Sequence, residues 1–294
     1  MRQKSERILQ AHLQRCSPEE KESLLRFLPE SEQLQLLQLP HVQEEGLFKE
    51  TPFASPLEQV HWSWFLPTLK AFSEREQRLF LSVLSSYAAE QLKTSLSLKG
   101  SLEETTEIAK GFLKEQLLYS LDAPQGGLLP REYLPASSLN RLLTLTKKDL
   151  IRLIDLLPLY DFAQEIRQIV ETKILKKLYS LLSEEQKHIL QQITIHKELN
   201  PLPKLGIEKW EGTEEALRVL LHRRGLMRLA LALAGQDADL IWMVCHQLDI
   251  GRGGALFRLC QKSEPHERDG FSQETKHTAS DIVQRQIEEL LSLL

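Results

Sequence analysis

The sequence predicts an all-α protein, an armadillo-like right-handed stack of short helices in two or three subdomains. Three observations carry that prediction. Leucine is by far the commonest apolar residue, while aromatics make up only 6% of 294 residues. Leucine with Glu, Gln, Lys and Arg favours helix, and the β-branched runs that mark strands are nearly absent. A short pattern of serine, acids and helically spaced leucines recurs along the chain, and clusters of proline and glycine break it at intervals.

The recurring pattern appears first as Ser17-Pro18-Glu19-Glu20 leading to Leu24, Leu25 and Leu28. It returns as Ser73-Glu74-Arg75-Glu76 before Leu79, Phe80, Val83 and Leu84, and as Ser183-Glu184-Glu185 before Ile189, Leu190 and Ile193. The serine suits a helix N-cap and the acids suit the positive end of the helix dipole. The apolar residues share one stripe, which a short helix buries only by stacking on neighbours. The copies keep no fixed period, so a loose stack is expected and not a regular solenoid.

The elements follow in order. An N-terminal helical segment occupies 1–50, and Leu39 to Pro56 reads as a linker. A middle domain, 57–121, is expected to hold helices near 57–71, 73–84, 87–98 and 101–120. Asp122 to Ser137, with three prolines and a glycine pair, is the next break. A repeat region, 138–200, is expected to hold helices near 139–145, 147–157, 161–171, 172–182 and 184–195. Asn200 to Gly206 breaks the chain again before a C-terminal domain, 201–294. There an apolar helix, Leu226 to Leu233, stops at Ala234-Gly235. A second starts behind Asp237 and Asp239 and ends near Leu248-Asp249. Gly251-Arg252-Gly253-Gly254 reads as a helix C-cap and turn, from which a third helix opens. Ser263 to Gly270 reads as a loop. The last helix, near 273–292, places Ile282, Val283, Ile287, Leu290 and Leu291 on one face. In the second helix, one of Trp242 and Met243 is expected in the core and the other less buried.

Composition excludes several function classes. The net charge of -4 is spread over both signs and makes no electrostatic case for nucleic acid. The basic stretches Arg224 to Arg228 and Lys147-Lys148 read as solvated helix faces. Cys16, Cys245 and Cys260 form no CxxC pair, which argues against a disulfide framework or a zinc site and fits a reducing cytoplasm. The charged N-terminus lacks the apolar core of a signal peptide. No apolar run reaches the ~18 residues of a membrane span, so membrane association is expected only through a partner.

A search for chemistry finds none, and neither cofactor nor metal is expected. His61 has no nearby acid pair, and His188 and His196 lack HExxH spacing. His222 and His246 read as surface or satisfied core histidines. No GxSxG occurs, and the glycines around Arg252 lack the GKS/T of a phosphate loop. Glu19-Glu20, Glu103-Glu104 and Glu288-Glu289 sit at helix ends or on solvated faces. Trp62, Trp64 and Phe65 instead suggest a binding hot spot. Trp62 and Trp64 are two apart and cannot share a helix face, so at least one is expected to be exposed or at a domain junction.

In the C-terminal third, LRVLL, LALALAG, HQLD, RGGALF and ASDIVQRQIEELLSLL follow one another, and in that order they resemble the flagellar motor switch protein FliG family. That family has a helix ending in LxxV, an LALALKG-like helix, a helix ending in NMS, RAAxxL, and a closing QxxIVxxIxxLxE-like helix. Here LRVLL (217–221), LALALAG (229–235), HQLD (246–249), RGGALF (252–257) and ASDIVQRQIEELLSLL (279–294) follow in the same order, with one inserted residue between Asp249 and Arg252. Leu79 to Leu84 followed by Ala88-Ala89-Glu90-Gln91-Leu92 is similar to the family's LILSYL…AAEVL. His61-Trp62-Ser63-Trp64 resembles the HxSW element of the SctK family, which occupies the FliG position in injectisomes. The family's EHPQ motif, which contacts FliM, would fall near Phe72-Ser73-Glu74-Arg75 and is not preserved. Its torque-helix charges would fall at Gly212, Thr213, Glu214, Glu215 and His222, where Glu214 keeps an acid and the charge pattern is otherwise lost.

The resemblance therefore implies the scaffold without torque generation. It implies a non-catalytic adaptor of a type III secretion sorting platform, of the kind found in chlamydial-type bacteria. Such an adaptor would be cytoplasmic and peripheral at the inner membrane. It would join an inner-membrane ring protein to a C-ring-like protein of FliM, FliN or SctQ type, with a homo-oligomeric ring as one arrangement. A flagellar switch protein and a helical chaperone for secreted substrates remain alternatives. The expected partner contacts are Trp62, Trp64, Phe65, Glu74, Arg75, Leu248, Arg252, Leu256 and Phe257.

Overall fold

The computed structural model describes residues 2–38, 56–121, 127–193, 202–207, 210–263 and 273–293. The expected linker of Leu39 to Pro56, apart from Pro56, and the expected tail loop, apart from Ser263, lie outside them. So do parts of the breaks at 122–137 and 200–206. Among the described residues there are sixteen α-helices, three 3-10 segments and no strand. The chain forms two compact units: Met1–Thr144 with Gln236–Gly253, and Leu145–Gly235 with Gly254–Leu294. These units differ from the four consecutive segments expected, because the 201–294 segment contributes to both.

The first unit begins with α1 (Arg2–Arg15), α2 (Pro18–Leu25) and α3 (Glu30–Gln38). It continues with α4 (Pro56–Gln59), a 3-10 turn at Trp62–Trp64, α5 (Leu66–Leu69), α6 (Glu74–Leu81), α7 (Ser86–Leu96) and α8 (Glu107–Tyr119). Two more 3-10 segments, Arg131–Tyr133 and Ser138–Thr144, complete its first part. The expected helix over 57–71 is thus three pieces. His61 caps the 3-10 turn by accepting from Ser63 N, and Pro67, which lacks an N–H, sits in the first turn of α5, where that donor is not needed. Helix α8 starts at Glu107, later than expected, where Thr106 accepts from Ala109 N.

The serine-acid pattern does what its chemistry predicts. Ser17 with Glu20 and Ser73 with Glu76 form capping boxes: the hydroxyl accepts from the glutamate N–H and the carboxylate accepts from the serine N–H. Ser183 and Gln186 make the same exchange. Each such cap stabilises its helix by about 1 kcal/mol. A second local device recurs. Gln33 Nε2 donates to the Leu25 and Leu28 carbonyls, and Gln77 Nε2 to those of Leu69 and Phe72, all at 2.9 Å. In both cases the acceptors lie eight and five residues back, so one amide closes the turn between a short helix and the next.

The second unit holds α9 (Lys147–Leu156), α10 (Leu159–Ile166), α11 (Thr172–Leu181), α12 (Glu184–Ile193) and α13 (Glu214–Leu233). The apolar stretch Leu226 to Leu233 is the final part of this 20-residue α13. The chain then supplies α14 (Ala238–Gln247) to the first unit, starts α15 (Ile250–Ser263) and closes with α16 (Gln273–Leu291) in the second. Helix α13 packs on α9 and α16, and α10 on α12. Leu150, Leu153, Leu229, Leu233 and Ile287 are fully buried there, each worth about 2 kcal/mol of transfer free energy. Of the five residues expected on one face of α16, Val283, Ile287 and Leu290 are buried, while Ile282 and Leu291 are half-buried at its edges. Gly225 allows α13 to cross α9, since a Cβ there would lie 1.8 Å from the Ile154 carbonyl oxygen.

The Arg224–Arg228 stretch is not the solvated face expected. Arg224 and Arg228, one helical turn apart, are buried against Asp161 of α10, which is wholly inaccessible. Arg224 Nε lies 2.9 Å from Asp161 Oδ2. Arg228 donates to Asp161 Oδ1 and to Gln286 Oε1 of α16, and its guanidinium lies over the Tyr160 ring. Burial pushes the Arg228 pKa down, and the Asp161 charge opposes that shift.

Candidate interaction surface

Two of the segments that carry the resemblance meet in the first unit, around α14. This helix is buried on nearly every side: Leu240, Trp242, Met243, Val244, Cys245, His246 and Gln247 are all inaccessible or nearly so. The expectation that one of Trp242 and Met243 would be less buried is therefore incorrect. A helix enclosed all round has no outer stripe, and its polar groups need internal partners.

The N-terminal end of α14 is held by acids and α1. Asp237 caps the helix by accepting from Asp239 N. Arg7 pairs with Asp237, and Lys4 lies 2.8 Å from Asp239 Oδ1. Asp239 also accepts from Leu129 N. Burial raises the Asp239 pKa, and the Lys4 partner opposes that shift. Along the helix, Trp242 Nε1 donates to the Leu121 carbonyl and Gln247 Nε2 to that of Leu143.

The C-terminal end of α14 is held by the turn His61-Trp62-Ser63-Trp64. His61 N donates to the His246 carbonyl at 2.8 Å, and Trp64 Nε1 to the Leu248 carbonyl at 2.8 Å. Ser63 Oγ accepts from Ile250 N at 2.9 Å and lies 2.8 Å from His61 Nδ1. Because His61 Nδ1 also accepts from Ser63 N, the hydroxyl proton goes to His61. This four-residue turn therefore satisfies the end of one helix and the start of the next, groups that otherwise lack intrahelical partners.

The His246 ring lies between two indoles, 3.8 Å from Trp242 and 4.1 Å from Trp64, measured between centroids. Its Nδ1 donates to the Trp242 carbonyl at 2.8 Å, while Nε2 is buried without a hydrogen-bond partner. Burial lowers its pKa to about 4, and the bond to Trp242 opposes that shift. The glycine run Gly251 to Gly254 is the first turn of α15 and not a helix C-cap. Gly253 sits against α14: a Cβ there would be 2.1 Å from the Cys245 carbonyl oxygen and 2.7 Å from Trp64 Cζ2. Asp249 accepts from Arg252 N and pairs with the Arg252 side chain at 2.5 Å.

Of the nine expected contact residues, Trp64 and Leu248 meet directly through their hydrogen bond, and Arg252 stands one turn further on. Trp62, beside Ser63, is half-buried. Phe65, Leu248 and Leu256 are fully buried, so they serve the core and present nothing to a partner. Glu74 and Arg75 are exposed in the first turn of α6, and Arg78 and Glu103 are the charges nearest them. Phe257 is partly exposed, on the α15 segment that belongs to the second unit. Sequence reasoning missed Ile250, which is partly exposed beside the turn, and the roles of Ser63 and Gly253. A glycine inside a helix, where it is unfavourable, was the available signal for Gly253.

No protein-family model, characterised protein or solved structure matches this chain. Among the described residues, no group of three or more His, Cys, Asp and Glu side chains is placed to hold a metal ion. No described helix is long and apolar enough to cross a membrane.

Proposed function

We propose that this chain is a non-catalytic adaptor of a type III secretion sorting platform. In this reading it joins an inner-membrane ring protein to a C-ring-like protein at the cytoplasmic face of the inner membrane. Its helices form an armadillo-like stack. The single observation that carries the reading is the convergence of two distant pieces of the family resemblance. His61 to Trp64, similar to the SctK element, clamps His246 to Ile250, part of the FliG-like stretch. The matching amide bridges of Gln33 and Gln77 support the repeat character.

The solvent-facing part of this corner is Trp62, Ile250 and Arg252. A half-buried indole, an isoleucine and an arginine are side chains that serve as interface anchors. The reading is tested by retrieving the tagged chain from its own cells and identifying bound proteins by mass spectrometry. Wild type is expected to retrieve ring or C-ring-type proteins. Ile250→Glu is expected to lose them while unfolding at a similar temperature, since the side chain is 40% exposed and a glutamate suits the N-terminal turn of α15. Retrieval of secreted substrates alone would replace the adaptor reading with the chaperone reading.

A further inference from the structure

A groove of about 560 Å³ opens in the second unit, between α11 and the segment that leads into α13. Its backbone is already fixed in place. The Glu165 carboxylate of α10 accepts from the N–H groups of Leu205, Gly206 and Ile207, charge-assisted bonds that hold that segment. Trp210 Nε1 donates to the Thr213 carbonyl at 2.9 Å, so the indole is held as one wall. Ile174 of α11, 37% exposed, and Ile169, half-buried, continue the apolar lining with the buried Ile207.

Three lysines line the same groove: Lys173 and Lys177, one turn apart on α11, and Lys204 from the facing segment. Among the described residues none of the three is in an ion pair. Lys204 Nζ is 3.1 Å from Gln168 Oε1, and Lys177 Nζ lies over the Trp210 ring, 5.4 Å from its centroid. Gly212 leaves room for that ammonium, since a Cβ there would be 3.1 Å from it. By contrast, Lys187 on α12 pairs with Glu184 at 2.6 Å. Of the acids along the groove, Glu165 is taken by backbone, and Glu171 and Glu211 pair with none of the three lysines. Glu171 makes no side-chain cap, and the first turn of α11 carries no acid, so the positive end of the helix dipole adds to the lysine charge.

We propose that this groove binds a short acidic segment of a partner protein. One apolar side chain enters against Ile174, Ile207 and Trp210, and flanking carboxylates meet Lys173, Lys177 and Lys204. Charge and shape both select this occupant. Unpaired ammonium groups around an apolar lining are complemented by carboxylates on either side of an apolar residue. The volume lies within the roughly 300–1,000 Å³ of sites that enclose a ligand, and a flat anionic membrane surface does not enter a concave site. All of the residues belong to the second unit, and a site of this kind does not require the adaptor reading.

Selection of random dodecapeptides displayed on phage, against the immobilised full chain, tests the proposal. Enriched sequences are expected to be acidic around an apolar residue. The leading one, synthesised with a fluorescent label, is expected to bind in an anisotropy titration. Lys173→Glu with Lys204→Glu is expected to weaken it at least about tenfold, with helical content and unfolding midpoint unchanged because both residues are exposed. Arginine at the same two positions is expected to retain binding. Lys70→Glu, at an exposed lysine of the first unit, is expected to leave it unchanged. Ile174→Gln is expected to weaken it several-fold, which a purely electrostatic attraction would not show. No enrichment, enriched peptides without acids, or binding that survives the double charge reversal or Ile174→Gln would each overturn the proposal. So would a chain that sediments with phosphatidylglycerol vesicles and selects no peptide.

Discussion

Replacing Gly253 and Gly254 in turn by alanine should move stability in opposite directions, although the two are neighbours on α15. A Cβ on Gly253 would lie 2.1 Å from the Cys245 carbonyl oxygen and 2.7 Å from Trp64 Cζ2. These approaches are inside van der Waals contact by on the order of 1 Å, so the start of α15 must lift away from α14. Overpacking of this kind costs about 1–3 kcal/mol. The movement also strains the Ile250–Ser63 and Trp64–Leu248 hydrogen bonds, each worth about 1 kcal/mol. Against these stands about 1 kcal/mol gained by alanine over glycine in a helix. The net expectation for Gly253→Ala is a loss of about 2–4 kcal/mol. A Cβ on Gly254 would meet only the flexible end of Arg258 at 3.8 Å, so Gly254→Ala keeps the gain of up to about 1 kcal/mol. Urea unfolding followed by helical circular dichroism measures both. A Gly253→Ala midpoint equal to or above that of Gly254→Ala would refute the reasoning.

Two further predictions concern buried charge. Asp161→Asn leaves Arg224 and Arg228 buried without their counter-charge and should destabilise by about 3–5 kcal/mol. Arg228→Met leaves Asp161 paired with Arg224 and should cost less; the reverse order in urea unfolding would discount Asp161 as the centre of the cluster. His246 predicts a pH dependence. Its folded pKa, about 4, lies below its ordinary 6.5, so the unfolded chain binds the extra proton first as pH falls. Stability is then complete above pH 6.5, is lost as pH drops towards 4, and the total loss is about 3 kcal/mol. His246→Phe should flatten the profile over that window, and an unchanged slope would assign the loss to other groups.

What the sequence disclosed was local. Ser17, Ser73 and Ser183 could be read as caps because the bonds they make span three residues. The buried face of α16 could be read because its spacing matches one turn of helix. The break of 57–71 into three pieces could not, because it depends on partners at 246–250 that no local pattern reveals. The same holds for Arg224 and Arg228. A basic run suggests a solvated face, and only the fold brings Asp161 between the two guanidiniums. Phe65, Leu248 and Leu256 read as contacts in the sequence because they are large and apolar near a motif, a property that core and interface residues share.

Both ends of α14 are fixed by residues far earlier in the chain: Lys4 and Arg7 at its start, His61 to Trp64 at its finish. This bears on how a contact surface here can be tested. Trp64 packs against His246, its ring tilted to the imidazole, and bonds to Leu248, so removing it frees a buried carbonyl and opens the core as well as altering the surface. Loss of binding after such a change would report unfolding as readily as a lost contact. Ile250 and Trp62 carry no side-chain hydrogen bond to α14 and face solvent in part, so changes there separate recognition from folding. The clamp also gives the surface its rigidity. The backbone of Ile250 is held by Ser63, whose hydroxyl is held by His61, and Gly253 keeps α15 against α14. A surface fixed in this way loses little conformational entropy on binding, which is what the proposed scaffold role requires.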